Sequence, residues 1–263
     1  MIDKIKLNIN LLLLMLLLLV FSTIQSAVAQ DGVRFWYGHS AQARITKEWR
    51  VSVGQLFLFR RNPTELGTIQ NSLNVQYRLN SKVCLGLGYQ RSGSVQNAND
   101  DARNRLTARI HVARNFGKIR LMNYFRAEWH SPERSKFEYR LRYAFRIHRR
   151  NWRLPLRARP YITNEFHYYL SGRPLWYRDE QGERVIRQSP RGLHAHRLTL
   201  GVTLRPIKRT NVNLRFMRQT EFNLGNKYRR INVEDPRNGR IRRRFSNFSA
   251  MILSVSYRFK VKK

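Results

Sequence analysis

Residues 102–148 alternate polar and apolar side chains with a period of two over almost fifty positions, which leaves few folds open. Even positions carry Arg120, Met122, Tyr124, Arg126, Glu128 and His130. The odd positions between them carry Ile119, Leu121, Phe125, Ala127 and Trp129, broken only by Asn123. After Ser131-Pro132-Glu133 the pattern resumes, with Lys136, Glu138, Arg140, Arg142, Arg146 and His148 on one face. The other face carries Phe137, Tyr139, Leu141, Tyr143, Phe145 and Ile147. A helix, with about 3.6 residues per turn, would mix the two sets, whereas a strand separates them at every step.

Both faces are extreme. The pattern gives strands of about 11–15 residues, against about 5–6 in most soluble sheets. A tilted strand that crosses an outer membrane needs about 9–11 residues, apolar outside and polar inside. The expected fold is therefore all-β, an antiparallel up-and-down transmembrane β-barrel of about ten to twelve strands. Strands are expected over 33–46, 48–60, 67–80, 82–92, 102–115, 118–131, 134–148, 153–170, 192–207, 209–224 and 244–259. The links between them alternate, short near 80–81, 115–118, 149–153 and 207–209, long and polar over 91–101, 171–191 and 225–243. Such barrels have short turns at the periplasmic end and longer loops outside. The segments number eleven where bacterial barrels are usually even, so either 225–243 hides a strand or 33–46 is not an ordinary wall strand.

Residues 1–29 read as a secretory signal peptide, with Lys4 and Lys6, an apolar block over 11–21 and Ala27-Val28-Ala29 at its end. The mature chain, 30–263, is expected to be one barrel domain in the outer membrane of a Gram-negative bacterium. Its charge is strongly basic, with a formal net value of +35 for the whole sequence. Such a value usually points to nucleic acid, but export argues against that partner. Forty of the 51 basic residues are arginine, which pairs bidentately with carboxylate and phosphate. Outer-membrane lipid, lipopolysaccharide and small anions are the expected partners of a monomeric barrel. One cysteine, Cys84, excludes an internal disulfide and reads as a small strand residue beside Gly86 and Gly88.

The polar face assigns a charge lattice to the lumen. Its members are Arg103, Arg105, Arg109, Arg120, Arg126, Glu128, Glu138, Arg140, Arg142, Arg157, Arg159, Glu165, Arg197, Arg215 and Glu221. Arg50, Arg78, Arg205 and Glu48 fall on the same face. One reading is a polar core of Arg–Glu pairs that stiffens the barrel. The other follows from the arginine surplus, because unpaired buried charge is costly and must meet water or anions, as in a narrow anion-favouring pore. The loop over 227–244 adds an external basic cluster, Arg229, Arg230, Arg237, Arg240, Arg242, Arg243 and Arg244. It reads as a solvated charge run or as a contact for lipopolysaccharide phosphates.

A lipid-modifying acyl hydrolase is the alternative class, and it needs a serine and a histidine base within reach of each other. No histidine has a serine two positions away, the cheapest arrangement on one strand face. His194-Ala195-His196 puts two imidazoles on one face with no third metal ligand beside them. No phosphate-binding glycine loop or zinc-type cysteine cluster is present, so no cofactor, metal or catalytic residue is expected. A secreted lipocalin-like barrel is disfavoured by the long strands and outward aromatics.

The closing Val255-Ser256-Tyr257-Arg258-Phe259 resembles the terminal strand signal of outer-membrane barrels, although Lys260 and three further residues follow the last aromatic. Lys47-Glu48-Trp49, the 71–77 strand, Leu87-Gly88-Tyr89, the Arg-rich strand ending in Tyr143 and Asn164-Glu165-Phe166 add to this. With these features the chain resembles an uncharacterised outer-membrane barrel family of Bacteroidetes-type bacteria, a domain of unknown function. The resemblance implies location and fold and carries no activity.

Charge also selects a register for the hairpin around Pro132. Pairs whose numbers sum to 266 would oppose Glu128 to Glu138 and Arg126 to Arg140, while a sum of 264 opposes Arg126 to Glu138 and Glu128 to Lys136. Opposed unlike charges favour a pairing by roughly 0.2–1 kcal/mol each. The 264 register also closes through the three-residue loop Ser131-Pro132-Glu133, and is the one expected.

Overall fold

The period-two pattern becomes eleven long strands that close on themselves. The computed structural model describes residues 33–60, 64–95, 102–134, 136–151, 154–234 and 238–260. The signal-peptide expectation for 1–29 and Arg237 of the basic loop lie outside the described residues. The strands are β1 (Val33–Arg44), β2 (Trp49–Phe59), β3 (Leu66–Arg78), β4 (Val83–Ser94), β5 (Arg103–Phe116), β6 (Ile119–Ser131), β7 (Tyr139–Arg149) and β8 (Arg159–Leu170). The short hairpin β9 (Leu175–Arg178) and β10 (Arg184–Gln188) precedes β11 (Gly192–Leu204) and β12 (Thr210–Glu221). The two-residue β13 (Val233–Glu234) and β14 (Ile241–Arg242) precede β15 (Phe248–Lys260). The barrel runs β1-β15-β12-β11-β8-β7-β6-β5-β4-β3-β2, and β9/β10 and β13/β14 form separate two-stranded sheets.

Closure settles the strand count. A chain that reverses at every hairpin ends parallel to its start when the number of strands is odd. The seam between β1 and β15 is accordingly parallel, from Val33 opposite Ser249 to Arg44 opposite Lys260. The first segment is thus a full wall strand. Among the described residues of 225–243 the only strands are β13 and β14, and they stand outside the barrel. The parity argument for an even count fails because a parallel seam satisfies the backbone of both edges as well as an antiparallel one does.

Links alternate between the two mouths, since each strand reverses the chain. Those over 45–48, 79–82, 117–118, 150–158 and 205–209 lie at one, and those over 60–65, 95–102, 132–138, 171–191 and 222–247 at the other. The link 150–158 is longer than the expected short turn at 149–153. The tightest is Gly117-Lys118, where Gly117 has φ +54, a conformation glycine adopts without steric cost. At the opposite mouth the segment 171–191 and the described parts of 222–247 pack together over the opening. Phe137, Tyr169, Ala195 and Ile231 form a buried cluster there, with Phe245 against it. A second buried cluster, Met217, Phe248, Ala250 and Ile252, lies against Trp36. Phe248, Ala250 and Ile252 alternate with the outward Met251 and Leu253, so this part of the inner face is apolar.

The hairpin around Pro132 adopts neither weighed register. Trp129 stands opposite Tyr139, Glu128 opposite Arg140 and Arg126 opposite Arg142, pairs that sum to 268. The loop is longer than expected because Phe137 is drawn into the buried cluster and Lys136 reaches Glu221. Glu138 still pairs with β6 through its backbone, its carbonyl accepting from the His130 N–H at 3.0 Å, while its own N–H donates to the Leu170 and Ser171 carbonyls at 3.0 Å. Its carboxylate accepts from Trp129 Nε1 at 3.2 Å. Trp129 belongs to the outward set, so the lumen assignment of Glu138 is corrected to the outer rim.

Candidate functional site

Two carboxylates organise the long-loop half of the lumen. Glu128 is 2% exposed, and both of its oxygens are shared. Oε1 accepts from Arg142 Nη1 at 2.9 Å and Arg126 Nη1 at 3.5 Å. Oε2 accepts from Arg140 Nε at 2.7 Å and meets His130 Nε2 at 3.3 Å. Arg105 Nη1 stands 3.8 Å from Oε1. Arg142 continues through its Nη2 to Glu165, which also meets His167 at 2.5 Å and Arg197 Nη1 at 3.6 Å. Glu128 and Glu165 therefore tie β5, β6, β7, β8 and β11 together across the inside of the wall. Arg126 and Arg142 are like charges directly opposed, and the carboxylates beside them offset a repulsion that a pairwise ladder rule counts alone.

A third carboxylate anchors the covering segments. Glu221, at the end of β12, accepts from Lys136 Nζ, from Tyr169 Oη at 2.9 Å and from the Ser246 N–H at 2.7 Å. Above it Arg243 bonds to the Gln188 side chain and to the Arg173 carbonyl, joining the two long segments. Asn223 and Ile231 exchange bonds of 2.6 and 2.9 Å. Beside this cover Arg134 stands over the Phe137 ring at 5.8 Å, and burial with the nearby Arg140 pushes its pKa down to about 10.

The remaining arginines of the expected lattice separate into several places. Arg109 crosses over β4 to Asn74 on β3, and the strand between them has Gly86 and Gly88 beneath the guanidinium. A Cβ on Gly88 would lie 2.5 Å from Asn74 Oδ1 and 2.7 Å from Arg109 Nη2, so the glycine makes the crossing possible. Arg105 reaches Gln90, Arg197 Nε donates to Gln219 at 2.6 Å, and Arg215 Nη2 donates to Ser254 at 3.3 Å. Arg103 opens β5 at the long-loop mouth, and Arg159 opens β8 at the short-turn mouth; both are exposed. Arg157 stands in the 3-10 turn Pro155–Arg157, outside the wall strands. In the basic loop Arg229, Arg230, Arg240, Arg242 and Arg244 are exposed, while Arg243 is committed to the cover.

The short-turn half is built differently. Arg50, Arg78 and Arg120 line a cavity of about 240 Å³ together with Lys82, Cys84 and His111. Cys84 stands directly opposite Arg78 on one side and His111 on the other. Arg44 and Arg50 are opposed across the β1/β2 ladder. Glu48, also in the lining, takes a bond of 2.9 Å from Thr46. Nearby, Arg205 donates to Asn211 at 2.9 Å. Burial, then Arg159, Arg258 and Arg157, lowers its pKa below the ordinary guanidinium value.

The possible imidazole pair does not form. A β-bulge between Leu193 and Ala195 turns His194 inward, where it is fully buried against Tyr169 and bonded to the Phe222 carbonyl at 3.2 Å. His196 remains on the outer face beside Asn164 at 3.0 Å. Among the described residues no group of three or more His, Cys, Asp or Glu is placed to hold a metal ion. Sequence reasoning missed Lys136 and Tyr169 as partners of Glu221, and the inner apolar patch of Trp36, Met217, Phe248 and Ile252. A signal for the patch exists in Ala250-Met251-Ile252-Leu253, which is apolar at both parities.

A scan against family models matches residues 33–230 to a protein of unknown function, DUF2490. The chain belongs to this family. The match spans the barrel from β1 into the segment before β15. No curated protein matches the chain. What the DUF2490 chain shows is thus a closed barrel with a neutralised, covered half and a cationic open half.

Proposed function

We propose that the chain is an outer-membrane β-barrel protein of a Gram-negative bacterium, of the Bacteroidetes type its motifs resemble, with a structural role and a closed lumen. The observation that carries this reading is the inverted distribution of side chains. Leu87 is 67% exposed on the outer wall, Val53 52% and Phe125 50%, while Glu128, Arg140, His167 and Glu221 inside are at 8% or less. Soluble monomers rarely expose contiguous apolar patches beyond a few hundred Å². A bilayer removes that cost, and strands of 11–14 residues suit its apolar core. Aromatics at both mouths support the same reading. Trp49, Tyr77, Tyr257 and Phe259 ring the short-turn end, and Trp129, Tyr139 and Tyr168 the long-loop end.

A closed rather than conducting barrel is supported by burial. A water path along the long-loop half would leave its side chains accessible, yet His130 is 3% exposed, His167 0% and Tyr169 1%. The exposed Arg229, Arg230, Arg240 and Arg244 around the covered mouth suit charge-assisted bonds to lipopolysaccharide phosphates. The test is purification. The folded protein should require detergent and migrate differently on gels when heated, and a monodisperse detergent-free preparation would sink the membrane reading. In planar bilayers the protein should pass no current. Chloride-favouring current would replace the closed reading with a narrow anion pore, and cation-favouring current would refute the inward placement of the arginines.

A further inference from the structure

The short-turn cavity concentrates cations in the lumen without neutralising them. Among the described residues Arg50, Arg78, Lys82 and Arg120 have no carboxylate partner, while Glu48, the carboxylate of the lining, is engaged by Thr46. The Nε atoms of Arg50 and Arg120 are buried without a hydrogen-bond partner. Directly opposed like charges, here Arg44 and Arg50, disfavour the ladder that holds them. Such an arrangement persists at a cost unless an anion supplies the missing charge and acceptors. The guanidiniums present planar forks that match oxyanions bidentately.

We propose that this vestibule is a blind binding site for a small, multiply charged oxyanion, a phosphate or phosphomonoester or a dicarboxylate, admitted from the short-turn mouth. Size sets the class. A cavity of about 240 Å³ holds roughly eight waters at about 30 Å³ each, room for such an anion and too little for an oligosaccharide or a lipid. The site is blind because the Glu128 and Glu165 network fills the lumen beyond it. Binding needs the barrel and its inward arginines and does not need a bilayer, so its failure and that of the membrane reading are distinguishable.

Cys84 is the only cysteine of the chain and lines the cavity, which makes it a native reporter. The full chain, folded in detergent, is treated with anionic and cationic methanethiosulfonates of similar size, alone and with inorganic phosphate or succinate. The expected result is at least tenfold faster labelling by the anionic reagent at low salt, with a ratio approaching one in 1 M NaCl as screening sets in. Millimolar phosphate or succinate should slow labelling saturably, and the stronger of the two identifies the ligand head. In the double variant Arg78→Gln, Arg120→Gln the preference and the protection should both be lost, while heat-modifiable migration shows that the barrel still folds. Equal rates for the two reagents, or no protection by either anion together with no heat on calorimetric titration, would overturn the proposal. Failure of all reagents to label Cys84 would also overturn it, because the vestibule would then be closed to solutes.

Discussion

The two halves of the lumen are lined by the same residue type and solve opposite problems. In the long-loop half each buried guanidinium of β7 finds a carboxylate: Arg140 on Glu128, and Arg142 on both Glu128 and Glu165. In the short-turn half Arg50, Arg78 and Arg120 line one cavity, and among the described residues none of them is paired with a carboxylate. The first half is covered by 171–191 and the described parts of 222–247, and the second opens to its mouth. Arginine therefore does two jobs in one barrel. Paired with carboxylates it cross-links the wall, and unpaired around the cavity it makes a field that favours anions.

Breaking a paired network is expected to cost far more than thinning an unpaired cluster, and the comparison can be tested on that scale. Glu128→Gln should have the largest effect, because it leaves the guanidiniums of Arg126 and Arg140 around a neutral amide and leaves Arg142 with Glu165 alone. Removing one partner of a buried ion pair typically costs about 3–5 kcal/mol. Urea unfolding in detergent, followed by gel mobility, should show that loss or no folded barrel at all, and a shift below about 1 kcal/mol would refute the network's role.

Gly88→Ala comes next. The new methyl has no room between Asn74 and Arg109, and overpacking costs about 1–3 kcal/mol. The double variant Gly88→Ala, Arg109→Ala should recover part of the loss, and an additive result would show that the crossing arginine is not what needs the glycine.

Tyr169→Phe removes one hydrogen bond to Glu221 in the cover, worth about 1–2 kcal/mol when the acceptor is charged. Faster proteolytic cleavage within 222–247, with the barrel core still intact on gels, is the expected sign. Unchanged cleavage would remove Glu221 as the anchor. At the small end, Arg120→Gln should change stability by no more than about 0.5 kcal/mol in either direction. A loss as large as that at Glu128 would erase the distinction between the two halves.

Much of this was legible in the chain. Alternation alone determined the eleven strand segments and most of their faces, because side-chain direction in a strand depends only on parity and not on the partner; the starts of β7 and β8, and so the length of the link between β7 and β8, were not legible in it. It also put Glu128, Arg140, Arg142, Glu165 and Arg197 on one face. What parity cannot see is distance along a neighbouring strand. A slip of two residues keeps every face, so the Pro132 hairpin could settle at 268 once Phe137 and Lys136 found partners some thirty and eighty positions away, at Tyr169 and Glu221. For the same reason the parallel seam, the outward turn of Glu138, the bulge that buries His194 and the gathering of Arg50, Arg78 and Arg120 around one cavity were decided only by closure. Local sequence encodes which side of the wall a residue takes. Which residues meet across the lumen is set by the barrel as a whole, where one carboxylate serves several strands at once.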